Sequence, residues 1–404
     1  MHQDTTTRIT DWPRHERAER PWRSGVRGPR ADRLCTAVTT WIPPRIATAR
    51  YRAAPGDDAL LDRAVAALRR LDREHGTRIG ALGGVLARTE AVASSRIEDE
   101  HAGLDDYARA VVGVRANDSA TVMVAATRAL DRLVTDAASG TITADAVRAA
   151  HLDLMRDDPL DGRDAGRYRT VQNWIGGGSS PRLATYVPPP PDLVPEAMAD
   201  LLVFLARDDL HPVAQAAIAH AQFESIHPFT DGNGRIGRAL IGAVLRRRGV
   251  SRTTVPIATA LVADRSRYFD HLVRYRFGSV HDFVADLAIA IGTACDEAAL
   301  TALVLDEHAA DAARRLPWDV GALFHDPVMT EDDLTALAAE SGRSPDDLAV
   351  ALDRAGIIRS VTSRRRRRAW LVTDVATEVD AFAERVRSTV DMDRLRRRLD
   401  VAAA

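Results

Sequence analysis

The sequence predicts an all-α protein with a small β-hairpin between its helices and a winged-helix unit towards the C-terminus. Three observations lead to this fold class. Apolar residues recur at helical spacing from about Asp57 onward, and a Gly- and Pro-rich break at 161–191 interrupts them. Beyond about residue 314 the patterns follow the order helix, turn, helix, hairpin. The 404 residues exceed the size of one ordinary domain, so we expect two or three units.

The charge, cysteine content and hydropathy of the chain exclude several classes of protein. The chain has 55 basic and 57 acidic residues, which excludes a uniformly basic nucleic-acid coat, and all the basic side chains are Arg. Cys35 and Cys295 lie far apart and no signal-peptide pattern opens the chain, which predicts a cytoplasmic location without disulfides. The most apolar stretch is interrupted by Asp286, Asp296 and Glu297, so we expect no membrane segment.

The patterns divide the chain into four parts. Residues 1–40 are rich in Arg, Thr and Pro without any period, which predicts a poorly ordered lead-in. Residues 41–140 form an N-terminal helical region, with periodic stretches at about 57–93, 104–114 and 119–137. Residues 141–312 form a core with helices at about 143–155, 192–207, 212–226, 235–248, 267–275 and 280–306. The segment Val213–Ile226 has few polar groups, which predicts a central buried helix.

Two regions carry strand signals. Tyr168–Ile175 and Ala184–Val187 flank three glycines and precede four prolines, which predicts a long hairpin between helices. Residues 313–404 read as a helix, a Ser-Gly turn, a second helix that Ser344 caps, and strands at 357–361 and 369–373. This order is that of a winged helix, followed by a C-terminal helix.

The segment 227–238, HPFTDGNGRIGR, carries the chemistry. Two glycines that flank Asn233 directly before an apolar helical run predict an anion cradle at a helix N-terminus, and phosphate suits such a cradle. Asp231 supplies a hard oxygen ligand for Mg²⁺ that bridges phosphates. Arg235 and Arg238 lie three apart on one helix face and can neutralise phosphate oxygens. His227, as a neutral imidazole, can accept a proton from an attacking hydroxyl.

Each of these residues has a structural explanation when taken singly. His227 can cap a helix, the Gly-Asn-Gly stretch can form a tight turn, and Asp231 is a common turn residue. Packing does not require all of them together, so the combination favours a site for phosphoryl chemistry. His220 and His227 are two helical turns apart, but without a third ligand they predict no zinc site.

The segment resembles the signature of the Fic family, H-P-F-x-(D/E)-G-N-G-R-x-x-R, at every fixed position. The stretch Tyr168–Gly177 with Tyr186–Pro190 is similar to the flap hairpin of that family, and the resemblance spans roughly 40–310. It implies a Fic helical core and a protein adenylyltransferase that moves AMP from Mg-ATP to a Ser, Thr or Tyr hydroxyl of a protein, releasing pyrophosphate. Family members that transfer the γ-phosphate have Lys in place of Gly234, so Gly-Asn-Gly favours AMP transfer.

The resemblance also implies a role for each residue. His227 is the base and Asp231 the metal ligand, and Arg235 and Arg238 contact phosphates, Arg238 as the γ-phosphate clamp. Gly232, Asn233 and Gly234 form the α/β-phosphate nest, in which Asn233 orients the phosphates. Tyr268 is the candidate for the adenine end. In the flap, whose edge binds the target by main-chain pairing, the candidates are Gln172, Asn173 and Trp174, and Trp174 either clamps a target side chain or packs the hairpin.

Upstream, Glu90–Glu98 resembles the inhibitory motif (S/T)-x-x-x-E-(G/N) of one Fic subclass, with Ser94 and Glu98 at its fixed positions. A carboxylate that pairs bidentately with Arg238 keeps that guanidinium from the γ-phosphate, which predicts autoinhibition. Asp99 stands where the family has Gly or Asn, so the helix is free to run on by a turn. In some members the same Glu positions a water that removes AMP, which leaves a de-AMPylase as an alternative.

The C-terminal part leaves a second alternative, a DNA-binding regulator whose core senses nucleotide. Five consecutive arginines, 364–368, occupy the predicted wing, where they suit a phosphate backbone. Asp346, Asp347 and Asp353 on the predicted recognition helix oppose DNA, so this reading is not favoured. The expected partner is a target protein, with self-modification and a homodimer left open.

Overall fold

The computed structural model describes residues 12–23, 29–114, 116–178, 180–362 and 367–403. The helices are α1 (Arg30–Arg33), α2 (Asp57–Ile97), α3 (Leu104–Val111), α4 (Asp118–Ala137), α5 (Ala144–Met155), α6 (Val194–Leu205), α7 (Pro212–Ile226), α8 (Asn233–Arg247), α9 (Ile257–Ala263), α10 (Arg265–Arg276), α11 (His281–Arg315), α12 (Glu331–Ser341), α13 (Pro345–Arg354) and α14 (Thr373–Ala403). The strands are β1 (Glu16–Pro21), β2 (Ala37–Ile42), β3 (Val328–Thr330), β4 (Ile358–Ser360) and β5 (Ala369–Val372). The predicted mostly helical fold class is confirmed.

Helix α7 is the centre of the fold. Every residue from Val213 to Ile226 is buried, as its low polarity predicted. It packs closely on α8 because Gly237 lies at the contact: a Cβ there would stand 2.5 Å from Oε1 of Glu224. The long helix α2 packs on α11, α4 and α9, which brings its C-terminal end to the start of α8. This packing places the segment around Glu98 beside the predicted phosphate loop.

Helix α9 was missed by the sequence analysis. It has seven residues, Ile257–Ala263, of which Ile257–Leu261 are all buried. A helix of two turns that is apolar on all sides shows no amphipathic period, so the pattern search had nothing to detect.

The predicted lead-in over residues 1–40 is wrong for its described part. Strand β1 pairs antiparallel with β2, from Glu16 opposite Ile42 to Pro21 opposite Ala37. Trp12 is 2% exposed and its Nε1 donates to the hydroxyl of Tyr275 at 3.0 Å. No residue of β1 is buried, so its sequence ERAERP lacks the alternation that identifies a strand.

The predicted hairpin at 168–187 is much smaller than expected. Its only pairing among the described residues is the antiparallel bridge between Ile175 and Tyr186. Gly176, Gly177 and Gly178 all have positive φ, which turns the chain away from an extended course. The following prolines at 188–191 have no N–H to donate, so the ladder cannot continue past Val187. We call residues 168–187 the flap.

The C-terminal part has the predicted order of two helices and a β-hairpin. Strands β4 and β5 pair antiparallel, and β3 completes a three-stranded sheet in the order β3-β5-β4. Arg364 to Arg366 lie outside the described residues, whereas Arg368 pairs with Asp346 and Glu331 of this chain. Helix α14 packs along α11, and one hydrophobic core extends from Trp12 to Val390. The proposed domain boundaries stay predictions.

Helix α11 is the one described helix whose length and composition would allow it to cross a membrane. Its most apolar window has a mean hydropathy of 1.6, and 61% of that window is buried inside the protein. A core helix of a globular fold passes the same test, so this feature is weak evidence for a membrane span.

Candidate active site

His227 ends α7 and begins the candidate loop. It is the C-cap of α7 with φ 51°, and its N–H donates to the carbonyl of Phe223 at 2.9 Å. A left-handed backbone at this point turns the chain sharply, so the loop leaves the buried helix at once. The helix-capping role that a single His suggests is therefore real, and it also positions the imidazole over the loop.

The side chain of Asn233, the first residue of α8, stabilises the loop by hydrogen bonds across it. Its Oδ1 accepts from the N–H of Phe229 at 2.9 Å, and its Nδ2 donates to the carbonyl of Phe229 at 2.9 Å. Gly232 precedes it with φ 74°, a conformation that disfavours a side chain. Asn233 was predicted to orient phosphates, and in the structure its amide holds the loop in shape.

The imidazole of His227 is held by two amides. Nδ1 accepts from Nδ2 of Asn173 at 3.0 Å and lies 3.2 Å from Nδ2 of Asn233. Because both amides also contact the backbone of Phe229, their orientation is fixed and Nδ1 is the unprotonated nitrogen. Burial, with Arg169 and Arg276 nearby, lowers the pKa of His227 to about 3. The ring is neutral at pH 7, as a general base requires.

Two further residues, which the sequence analysis missed, hold this corner. The buried guanidinium of Arg169 donates from Nε to the carbonyl of His227 at 2.8 Å and from Nη2 to that of Pro189 at 2.6 Å. His151 on α5 stacks on Phe229 with ring centroids 3.7 Å apart, and its Nε2 lies 3.0 Å from the carbonyl oxygen of Asp231. Arg169 stands inside the flap segment, but nothing in its sequence surroundings indicated these backbone contacts.

Asp231 faces the open side of the loop, whereas the Arg235 side chain beside it is only 9% exposed. The Asp231 side chain is 55% exposed, and one oxygen, Oδ2, accepts from Nη2 of Arg235 at 3.0 Å. The described residues contain no cluster of three or more metal-ligating side chains. A single exposed carboxylate fits Mg²⁺ that brings phosphate and water oxygens with it, because Mg²⁺ often takes only one or two protein carboxylates.

Arg238 is a buried guanidinium whose contacts differ from those of Arg235. Its Nε donates to Oγ of Ser94 at 2.8 Å, and its Nη2 donates to the Ser94 carbonyl at 2.9 Å and to Oε1 of Glu98 at 2.8 Å. The predicted pair of Arg238 and Glu98 is therefore present, but through one carboxylate oxygen and not bidentately. Ser94 takes the remaining contacts on that side.

Charge favours this pair in its ionised form. Desolvation would raise the pKa of Glu98, but the charge and the hydrogen bond of Arg238 outweigh it and hold the pKa below its usual range. Burial would lower the pKa of Arg238, and the Glu98 carboxylate, followed by Tyr268 and Glu224, raises it above its usual value. The Glu98 side chain remains 37% exposed, so it borders solvent at the mouth of the site.

The end of α2 differs from the expectation that it would run on by a turn. The helix ends at Ile97, Glu98 is its C-cap, and Asp99 takes the left-handed φ of 63°. Asp tolerates this region better than most residues. Both oxygens of Asp99 accept from Arg265, which holds the turn. Asp99 thus adopts the conformation for which the inhibitory motif has Gly or Asn.

The Glu98 carboxylate lies over the predicted phosphate nest. A Cβ on Gly234, the second residue of α8, would stand 1.9 Å from Oε1 of Glu98 and 2.9 Å from Nη1 of Arg238. Gly234 thus leaves the space that an anion needs at the N-terminus of α8, where the helix dipole favours negative charge. In this structure the chain's own carboxylate occupies that space.

The other predicted residues take different positions. Tyr268 is 2% exposed, with its hydroxyl 3.3 Å from Nη1 of Arg238 and 3.0 Å from Nε2 of His220, which does not favour an adenine contact. Gln172 donates to the carbonyl of Pro188 at 3.0 Å within the flap. Trp174 packs edge-to-face on Trp22 at 5.4 Å, which favours its packing role.

A buried carboxylate behind the site was also missed. Glu224 is 7% exposed, and its Oε1 has no hydrogen-bond partner among the described residues. Burial raises its pKa to about 7, against the charges of Arg238 and Arg276. No spacing in the sequence distinguishes Glu224 from the other residues of α7.

The geometry defines a helical protein with an anion site that is formed by a buried helix, a loop beginning with His227, and a second helix. Comparison with known proteins shows which family has this arrangement. Residues 141–245 match the Fic/DOC family. Protein adenylyltransferase Fic of Nematostella vectensis is 32% identical over 154 residues, 37% of this chain and 32% of that protein. Its counterpart from Drosophila grimshawi is 34% identical over 134 residues, 32% of this chain and 24% of that protein.

A solved Fic family protein from Desulfovibrio desulfuricans G20 has a TM-score of 0.53 at 23% identity, covering 80% of this chain and 97% of that one. This likeness shows the fold. The matched segments span about a third or less of the two adenylyltransferases. The chain therefore contains a Fic domain, as its 227–238 segment predicted.

Proposed function

We propose that this protein is an adenylyltransferase that transfers AMP from Mg-ATP to a Ser, Thr or Tyr hydroxyl of a protein and is autoinhibited by Glu98. The observation that carries the proposal is the loop 227–238, in which a neutral His227 stands beside an anion site at the N-terminus of α8. The adenylyltransferase names of relatives at about 30% identity support the same reaction.

In the proposed reaction the target hydroxyl oxygen attacks the α-phosphorus and pyrophosphate leaves. The hydroxyl proton passes to the imidazole of His227, which is neutral at pH 7. The N-terminus of α8, Arg235 and Arg238 stabilise the negative charge on the phosphates. Asp231 would hold Mg²⁺, which arrives with ATP and neutralises phosphate charge.

The proposed inhibition follows from the position of Glu98. Its carboxylate takes Nη2 of Arg238 and stands over Gly234, so it competes with phosphate oxygens for the guanidinium and for the space above the helix N-terminus. A nucleotide that cannot reach Arg238 is held in a pose unfit for in-line attack.

The flap is the proposed docking edge for the target. Val171 is 58% exposed and Ile175 is 39% exposed, so apolar side chains on both sides of Asn173 are open to a partner. Main-chain pairing along an exposed edge fixes a bound segment, and side-chain contacts add specificity. Asn173 connects this edge to the base because its amide donates to His227. A cytoplasmic location belongs to the same proposal, supported by the unpaired Cys35 and Cys295.

The test is label transfer from α-labelled ATP with Mg²⁺ to the protein itself and to a lysate, using wild type, Glu98→Gly, and Glu98→Gly combined with His227→Ala. We expect labelling with Glu98→Gly and its loss without His227. If ATP binds to Glu98→Gly by calorimetry and no label is transferred to any protein, adenylyl transfer is refuted.

A further inference from the structure

A cavity lies beside the C-terminal part of α2, away from the phosphate loop. Its volume is about 450 Å³, and α2, α3, α9 and α14 all contribute to its walls. The wall is apolar over much of its area, formed in part by Val92, Leu104, Tyr107, Met123, Val262 and Val379. None of the residues assigned to the phosphate site lines it. The cavity is large enough for a small organic molecule and is separate from the proposed active site.

The cavity also contains cationic and polar groups that have no partner among the described residues. Four arginines line it, and ion pairs with Asp326, Asp99 and Glu384 account for three of them. The fourth, Arg96, is half-buried and has no carboxylate partner among the described residues. Thr259, which lines the cavity from α9, is 3% exposed, and its Oγ1 is a buried hydroxyl without a hydrogen-bond partner in the described chain. A guanidinium and a hydroxyl donor are therefore both available to one ligand.

The carboxylates that line the cavity do not neutralise the cationic group of Arg96. Asp380 and Glu384 both line it, but both residues are exposed, and Glu384 is already paired with Arg387. Arg88 adds a further cationic group to the wall. Its guanidinium lies over the ring of Tyr107, 5.5 Å from the centroid, and its Nη1 has no hydrogen-bond partner among the residues that the structure describes. The interior thus combines apolar surface with unpartnered donors.

We propose that this cavity binds a small organic carboxylate with an apolar body, whose anionic group is held by Arg96 and the hydroxyl of Thr259. A charge-assisted contact to Arg96 supplies specificity for an anion, and the aliphatic and aromatic walls accept the apolar part. Binding gives the Thr259 hydroxyl an acceptor that the described part of the chain does not provide. A neutral molecule of the same shape leaves Arg96 without a counter-charge, so it binds more weakly.

The site is placed to regulate the Glu98 contact, and this second step rests on the proposed function. Arg96 lies in the last turn of α2, its carbonyl accepts from the N–H of Asp99 at 3.2 Å, and Asp99 pairs with Arg265, another wall residue. The cavity is formed in a structure where Glu98 holds Arg238. A ligand that fits these walls ties the end of α2 to α9 and α14, so it favours the inhibited arrangement.

Binding is tested directly by calorimetry with sodium octanoate and octan-1-ol on the full chain, without any measurement of activity. We expect octanoate to bind, octan-1-ol to bind at least tenfold more weakly, and Arg96→Gln to weaken octanoate by about tenfold or more. The matched control is Arg69→Gln, an exposed arginine on the same helix outside the cavity, which leaves the affinity unchanged.

Thr259→Val separates ligand binding from folding. The hydroxyl is buried without a partner in the described ranges of the chain. Its removal therefore leaves the thermal unfolding midpoint of the ligand-free protein equal or raised, yet it weakens the binding of octanoate. Equal octanoate affinity in wild type, Arg96→Gln and Thr259→Val overturns the site, and so does octan-1-ol binding as tightly as octanoate.

The regulatory step has its own readout. Saturating octanoate is expected to weaken ATP binding to wild type and to leave ATP binding to Glu98→Gly unchanged. Octanoate that binds through Arg96 without altering ATP affinity of wild type refutes the coupling to Glu98. Neither outcome depends on label transfer, so failure of the proposed adenylyl transfer is distinguishable from failure of this site.

Discussion

Replacement of Glu98 by Gly tests whether one contact restrains the site. The variant removes the 2.8 Å hydrogen bond from Nη2 of Arg238 and the carboxylate above Gly234, whereas Ser94 still accepts from Arg238 through its hydroxyl and its carbonyl. Arg238 therefore stays in place, and the substitution frees its Nη2 for a phosphate oxygen of ATP. Glu98 has an ordinary φ of −91° that Gly also adopts, and the left-handed Asp99 is unchanged, so the helix end is preserved.

The size of the effect follows from the geometry of this pair. A hydrogen bond between charged groups contributes about 1.5–3 kcal/mol. Because the Glu98 side chain is 37% exposed, solvent screens the pair and the lower end of that range applies. About 1.5 kcal/mol corresponds to roughly tenfold tighter ATP binding. Self-labelling rises by more than this factor, because Arg238 also orients the phosphates for attack.

The assay combines ATP affinity from calorimetry with label transfer from α-labelled ATP. Glu100→Gly is the matched control: Glu100 stands two residues further on and accepts from Ser119, and it does not touch Arg238. The reasoning is refuted if Glu98→Gly binds ATP no more tightly than wild type, or if Glu100→Gly raises labelling equally.

The remaining predictions concern the base, the flap and the contact between α7 and α8. In the Glu98→Gly background, label transfer stays level from pH 7.5 down to 5.5, because the pKa of His227 is about 3; an ordinary His near 6.5 would lose about tenfold at pH 5.5. Asn173→Ala removes an amide that stabilises neutral His227, so the acid limb of that pH profile moves up by somewhat under one pH unit, for a bond of about 1 kcal/mol. In Gly237→Ala the new Cβ would stand 2.5 Å from Glu224, so the free energy of unfolding, measured with urea, falls by about 1–3 kcal/mol. The control is Gly242→Ala on the same helix, where the Cβ would stand 3.4 Å from Val134. There the free energy of unfolding rises by up to about 1 kcal/mol. Stability falls as the pH drops from 6.5 towards 4, because four buried histidines with folded pKa values of about 3 to 4 take up protons only on unfolding: His15, His151, His220 and His227. They outnumber Glu90 and Glu224, whose raised pKa values of about 8 and 7 act in the opposite direction. Thermal midpoints that do not change over this range contradict the prediction.

Helices and the phosphate loop were predictable because their signals are local. The buried α7 shows its apolar run in the sequence, and the glycines around Asn233 indicate the start of α8. Residues that act across the fold gave no such signal. Arg169 works through backbone carbonyls far along the chain, and the contact of His151 with the Asp231 carbonyl depends on where α5 packs. Strand β1 was missed because almost all its side chains face solvent.

The inhibitory segment shows why a sequence departure need not change a structure. Asp99 stands where the motif has Gly or Asn, residues that tolerate a left-handed backbone. At its φ of 63° a side chain carries a steric cost that Gly avoids. Arg265 contacts both carboxylate oxygens of Asp99 and offsets that cost, so α2 still ends at Ile97 and Glu98 still reaches Arg238. The same Arg265 also lines the cavity behind α2. The substitution that makes the motif atypical therefore connects the proposed inhibitory contact to the wall of the proposed carboxylate site, a link that Gly at this position would not provide.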